Sequence, residues 1–180
     1  MDVESRDQRD HTPSPLVVQA AVLPDPRFQL HFPANVIQDV FRLSPFGAPR
    51  IRAVKKEQKH YHWDWSVIQE PSFRFENLVA GHLLKWVHHE QDAKGRDLEL
   101  RYFRDTDRRE VDFVVVERRT PQLFVECKWG DAEVDRGIRY LKARFPKCEA
   151  WQVSATGTKD YVTPDDIRVA PAMQLLPRLV

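Results

Sequence analysis

The chain of 180 residues carries only two cysteines, Cys127 and Cys148. Two thiols are too few for a disulfide scaffold, and they lack the paired spacing of a zinc finger. Glycine is scarce as well, six in all. No G-x-x-x-x-G-K-[ST] run occurs, so no nucleoside-triphosphate site is expected in this chain. No apolar run approaches the roughly 18 residues that span a bilayer, which excludes a membrane-embedded reading. The opening MDVESRDQRD is polar and acidic, which argues against a secretory signal and for a reducing, cytoplasmic setting. An excess of one charge is also missing: 28 Lys and Arg stand against 27 Asp and Glu, leaving +1. Wholesale electrostatic attraction to nucleic acid is thereby excluded, and any such binding must come from a local patch.

What is present is a globular composition, 42% hydrophobic and 31% charged, long enough for one domain with an extension. Proline is uneven: eight of the 13 lie at or before Pro71. Roughly the first 15 residues have almost nothing to bury and are expected to be disordered. Residues 1–58 read as an irregular Pro-rich arm, with a short strand or two and a helical turn near Asn35–Arg42. Residues 59–180 read as the folded domain.

Within that domain the periodicities are clear. KHYHWDW alternates like a strand, with Tyr61, Trp63 and Trp65 on one face, and the two tryptophans are expected in the core. SFRFENLVAGHLLKWVHHE, opening at Pro71–Ser72, repeats as a helix. LELRYFR (98–104), EVDFVVVE (110–117) and LFVECKW (123–129) read as three strands joined by the polar turns DTDRR and RRTPQ, an antiparallel meander. VDRGIRYLKARF (134–145) reads as a helix, CEAWQVS (148–154) as a further strand, and IRVA (167–170) as one more. The expected fold is α/β, a mixed sheet flanked by helices.

Charges fall where they are not expected. In LFVECKW, Glu126 and Lys128 share one face with Phe124, and Cys127 lies on the other as a buried small residue. In EVDFVVV, strict alternation puts Glu110, Asp112, Val114 and Val116 together, so an acid sits amid valines and requires a partner. On the helix, Glu76 lies within about 40° of Ala80, Leu83 and Val87 and should face the core or the sheet. Taken singly, each is an ordinary strand-face or strand-end charge. Their order on adjacent elements is what favours a shared site. Carboxylates meeting at one point repel unless a hard cation sits between them, and Mg²⁺ or Mn²⁺ takes oxygen ligands. A neighbouring lysine could orient the attacking water or stabilise charge on phosphorus.

These residues, in this order, resemble the PD-(D/E)XK nuclease superfamily, with its restriction-endonuclease-like core of helix, three-stranded meander, helix and strand. More narrowly, about Lys59 to Leu176 resemble a C-terminal domain of uncharacterised function found on bacterial and archaeal AAA-type ATPases. The matching segments are KHYHWDWSVI, FRFENLVAGHLLKW, ELRYFRDTDRREVDFVVV and LFVECKW. By that resemblance Asp112 and Glu126 are the metal-binding acids, Lys128 the catalytic lysine, and Glu76 the helix glutamate that completes the site. Asp112 follows Val111 where the superfamily motif has proline, and the ATPase module is missing from the chain. The resemblance implies metal-dependent hydrolysis of nucleic-acid phosphodiesters, with DNA ahead of RNA as partner. The alternative it carries is an inactive nuclease-like fold that binds nucleic acid or protein.

Arg101, Arg104, Arg108 and Arg109 border the Asp112 hairpin and are the candidate phosphate-binding residues. The stretch RIRAVKKEQKH (50–60) is either a second basic patch or a basic turn. His88–His89–Glu90 reads as a polar helix end, since adjacent helical residues point about 100° apart. An exposed aromatic strand near Trp63 could serve as a homodimer interface.

Overall fold

The computed structural model describes residues 40–47 and 57–179. Eight strands, β1 (Val40–Pro45), β2 (Lys59–His62), β3 (Leu98–Arg104), β4 (Glu110–Glu117), β5 (Thr120–Lys128), β6 (Glu149–Ser154), β7 (Tyr161–Val162) and β8 (Arg168–Pro171), form one mixed sheet. Their order across it is β2-β1-β3-β4-β5-β6-β8-β7. β3, β4 and β5 form the antiparallel meander, and β5, β6 and β8 are parallel. The structure is therefore α/β, with a helix on each face of the sheet.

α1 (Pro71–Lys94) starts where Pro71 supplies a preset φ and the Glu70 side chain accepts the Phe73 N–H. It ends at Gly95, whose φ of 63° closes the helix in the left-handed conformation. Phe75, Val79, Leu83 and Val87 recur every four residues and pack with Leu98, Leu100, Tyr102, Phe113, Val115 and Val125 on one side of the sheet. α2 (Arg136–Arg144) is capped by Asp135, which accepts the Gly137 N–H. Its Ile138 and Leu141 pack with Phe103, Val111, Val114, Val116 and Phe124 on the other side. Among the described residues no helix is long and apolar enough to cross a membrane.

Several sequence expectations need correction. Val40–Arg42 belong to strand β1 and not to a helical turn, because Phe41 pairs with Tyr61 and is buried beside it; the rest of that expected turn, the opening 15 residues and Arg50–Lys56 lie outside the described residues. Trp63 and Trp65 are not core residues. β2 stops at His62, a 3-10 turn covers Trp65–Val67, and the two indoles are 50% and 40% exposed.

The alternation expected for EVDFVVV also breaks. Arg101 pairs with Val114, whereas Phe103 pairs with Val111. Two steps on β3 therefore match three on β4, and this bulge lies at Asp112–Phe113. Val114 and Val116 face α2, while Asp112 turns to the α1 side beside Phe113.

Candidate functional site

β1, β3, β5, β6 and β8 run one way, and β2, β4 and β7 run the other. The carboxyl ends of the first group therefore meet the start of β4, and ligands of open α/β sheets bind at such ends. Glu110 and Asp112 open β4, Glu126 and Lys128 close β5, and Lys59 opens β2.

On the α1 side three acids converge on one ammonium. Lys59 Nζ lies 3.2 Å from Glu76 Oε1, 2.5 Å from Glu110 Oε1 and 3.2 Å from Asp112 Oδ1. Tyr61, two residues on in β2 and so on the same face, donates its hydroxyl to Glu76 Oε1 at 2.7 Å. Arg104 Nε donates to the second oxygen of Glu110 at 2.8 Å. Asp112 Oδ2 accepts the Cys127 N–H at 2.9 Å, a side-chain bond where the β4–β5 ladder has ended at Phe113–Val125. Lys59 is 19% exposed and the Asp112 side chain 11%, so these charges sit largely out of water.

On the α2 side lies a second, smaller group. Glu126 Oε1 accepts from Lys128 Nζ at 2.8 Å, and the same ammonium reaches Asp135 Oδ2, at the cap of α2, at 3.0 Å. The two groups touch through the sheet: the Asp112 N–H donates to Glu126 Oε2 at 3.3 Å. Cys127 is on the α1 side, against that core and opposite Glu126.

The electrostatics follow from burial and partners. Burial foremost, then the charge of Glu76, pushes Asp112 up to about 7 against the pull of Lys59. Burial, then the charge of Asp112, holds Glu126 well above the usual carboxylate range against the pull of Lys128. For Lys59 burial works to lower the pKa, but Tyr61, Glu76, Asp112 and Glu110 outweigh it and raise it well above its ordinary value. Lys128 is likewise raised, because Glu126 and Asp135 outweigh desolvation. A carboxyl raised in the folded state takes up a proton on folding. Its contribution to stability is full below its ordinary value of 3.8 and is lost as pH rises through about 7. Wild-type stability relative to Asp112→Asn should therefore fall between about pH 4 and pH 8 in urea titrations. A difference that stays flat over that range would refute the shift.

The three acids and the lysine that the sequence singles out, Glu76, Asp112, Glu126 and Lys128, thus lie at one end of the sheet but are divided between its faces. Lys59, Tyr61, Glu110 and Asp135 complete the two groups, and sequence reasoning does not assign them to a site. A signal for Lys59 exists, since strand alternation places it with Tyr61. The arginines are largely used internally. Arg101 pairs with Glu99, Arg104 with Glu110 and Glu57, and Arg109 with Asp105 and Asp107. Arg108 is exposed, with no carboxylate partner for its side chain among the described residues. His88 and His89 are exposed at the far part of α1.

A divalent ion does not fit the acids as they stand. Among the described residues no three His, Cys, Asp or Glu groups are arranged to hold one. One oxygen each of Glu76, Glu110 and Asp112 is directed at the Lys59 ammonium, and Glu126 gives one oxygen to Lys128 and the other to the Asp112 N–H.

The chain belongs to the family described as domain of unknown function DUF4143, whose model matches residues 73–175. Domains of this family often lie at the C-termini of AAA-type ATPases. No curated protein and no solved structure matches the chain.

Proposed function

We propose that this domain is a PD-(D/E)XK-like fold kept as a nucleic-acid-binding module that does not hydrolyse its partner. The observation that carries this reading is the Lys59 ammonium, which sits among the three carboxylates where catalysis would need a metal. An ion entering there would have to displace a cation already paired three ways, and leave that lysine without partners. The nucleic-acid half of the reading rests on the β3–β4 turn, which carries the exposed, unpaired Arg108 at the same end of the sheet. Hydrolysis is the second reading, favoured by the bond from the Asp112 N–H to Glu126 and by the adjacent Lys128.

Metal dependence separates the two. Calorimetric titration with Mn²⁺ should give no binding heat, incubation of DNA with Mn²⁺ should give no cleavage, and DNA binding should persist in excess EDTA. Mn²⁺-dependent cleavage that disappears in an identically prepared Asp112→Ala protein would overturn the binding-module reading and make the domain a nuclease.

A further inference from the structure

We propose that one face of α2, together with the β3–β4 turn, is the surface that tracks a nucleic-acid phosphate backbone. This inference rests on the nucleic-acid reading above and names the surface that reading lacks. Arg136, Tyr140 and Arg144 lie four residues apart along α2 and so form one row. The helix rise makes the row about 12 Å long, against one phosphate per roughly 3.4 Å of duplex axis on each strand. The turn is joined to the row at both its arginines. Arg136 donates to the Arg108 carbonyl at 2.6 Å, and the Arg109 guanidinium lies over the Tyr140 ring at 3.6 Å. Arg144 covers the same ring at 3.8 Å.

Three of these arginines are available. Arg108, Arg136 and Arg144 are exposed, and none has a carboxylate partner among the described residues. Arg109 is held by Asp105 and Asp107, and Arg139, off the row, pairs with Asp165. Stacking on Tyr140 fixes Arg144 before a ligand arrives, so little side-chain freedom is lost on binding. The occupant follows from what the ridge lacks. A protein partner needs a desolvated apolar centre, but among the described residues the exposed large hydrophobics are Trp63, Trp65, Trp129, Tyr161, Val162 and Met173, and none lies on α2 or in the turn. Guanidiniums that have no carboxylate partner and no apolar anchor beside them suit a polyanionic backbone, which is bound almost wholly by electrostatics.

The test is fluorescence anisotropy with a labelled DNA duplex across a series of KCl concentrations, using the full chain. The combined variant Arg108→Gln, Arg136→Gln, Arg144→Gln should reduce the slope of log affinity against log salt by about 2.7, or about 0.9 for each phosphate that is no longer neutralised. Arg139→Gln should leave the slope unchanged. Wild-type binding with an unaltered slope in the triple variant would overturn the ridge and leave the binding module standing. Failure of the wild type to bind DNA even at low salt would overturn the nucleic-acid reading and the ridge with it. Displacement of the DNA by polyglutamate at equal charge concentration would overturn the assignment of nucleic acid as the occupant.

Discussion

Replacing Lys59 by methionine should cost about 3–5 kcal/mol of folding free energy at about pH 9, where Asp112 is ionised, the range for removing one partner of a buried ion pair. Methionine keeps most of the aliphatic stem and removes the charge, together with the ammonium's contact over the Tyr102 ring. Glu76, Glu110 and Asp112 would then face one another without the ammonium that each now touches. Glu110 keeps Arg104 and Glu76 keeps the Tyr61 hydroxyl. The penalty therefore falls hardest on Asp112, whose remaining support is the Cys127 N–H. Two further measurements identify the cause. Acidification should shrink the deficit, because protonated carboxyls do not need a counter-ion. Adding Asp112→Asn to the Lys59→Met protein should recover part of the loss, giving a cycle clearly short of additive. A loss under about 1 kcal/mol in urea denaturation, or a deficit that ignores pH, would show that the ammonium is not what holds these acids together.

Lys59 also marks the limit of what the sequence reveals. The local patterns are legible: LELRYFR and EVDFVVVE are β3 and β4 to the residue, and the helix around FRFENLVAGHLLKW is α1. Each of those signals is carried by side-chain period within one element. The meander can be read from short polar connections, and α2 from Ile138 and Leu141. Helical geometry alone places Glu76 on the inward face, and its bonds to Tyr61 and Lys59 agree with that placement.

The rest depends on pairing between distant segments. Lys59 meets Asp112 across 53 residues of chain, and its neighbours in sequence are basic, so locally it reads as one more solvated cation. β1 is interrupted by proline-rich flanks, and only its pairing with β2 and β3 makes it part of the sheet. The bulge at Asp112 is a mismatch of register between β3 and β4, which strict alternation within EVDFVVV does not anticipate. Trp63 and Trp65 are apolar enough for a core, yet β2 ends before them.

The second large effect is one that helix propensity alone would predict with the wrong sign. Gly81 and Gly137 both lie inside helices, where alanine is ordinarily better by about 0.8–1.0 kcal/mol. At Gly81 a Cβ would meet nothing within 4 Å, so Gly81→Ala should stabilise the protein by about that amount. At Gly137 the same atom would be driven into the Glu110 backbone, 2.8 Å from its carbonyl carbon and 3.0 Å from its nitrogen, and nearer still to its oxygen. Backbone of a central strand cannot give way as a flexible side chain can, so α2 must retreat from β4. Gly137→Ala should therefore destabilise by about 2 kcal/mol or more after the propensity gain is subtracted. The retreat also pulls Asp135, which caps α2, away from Lys128, and Arg136 away from the Arg108 carbonyl. One methyl group thus loosens the acid cluster's second group and the arginine row together. Parallel urea titrations of the two variants decide it, since a neutral or stabilising Gly137→Ala would mean that α2 does not sit on Glu110 as closely as this packing requires.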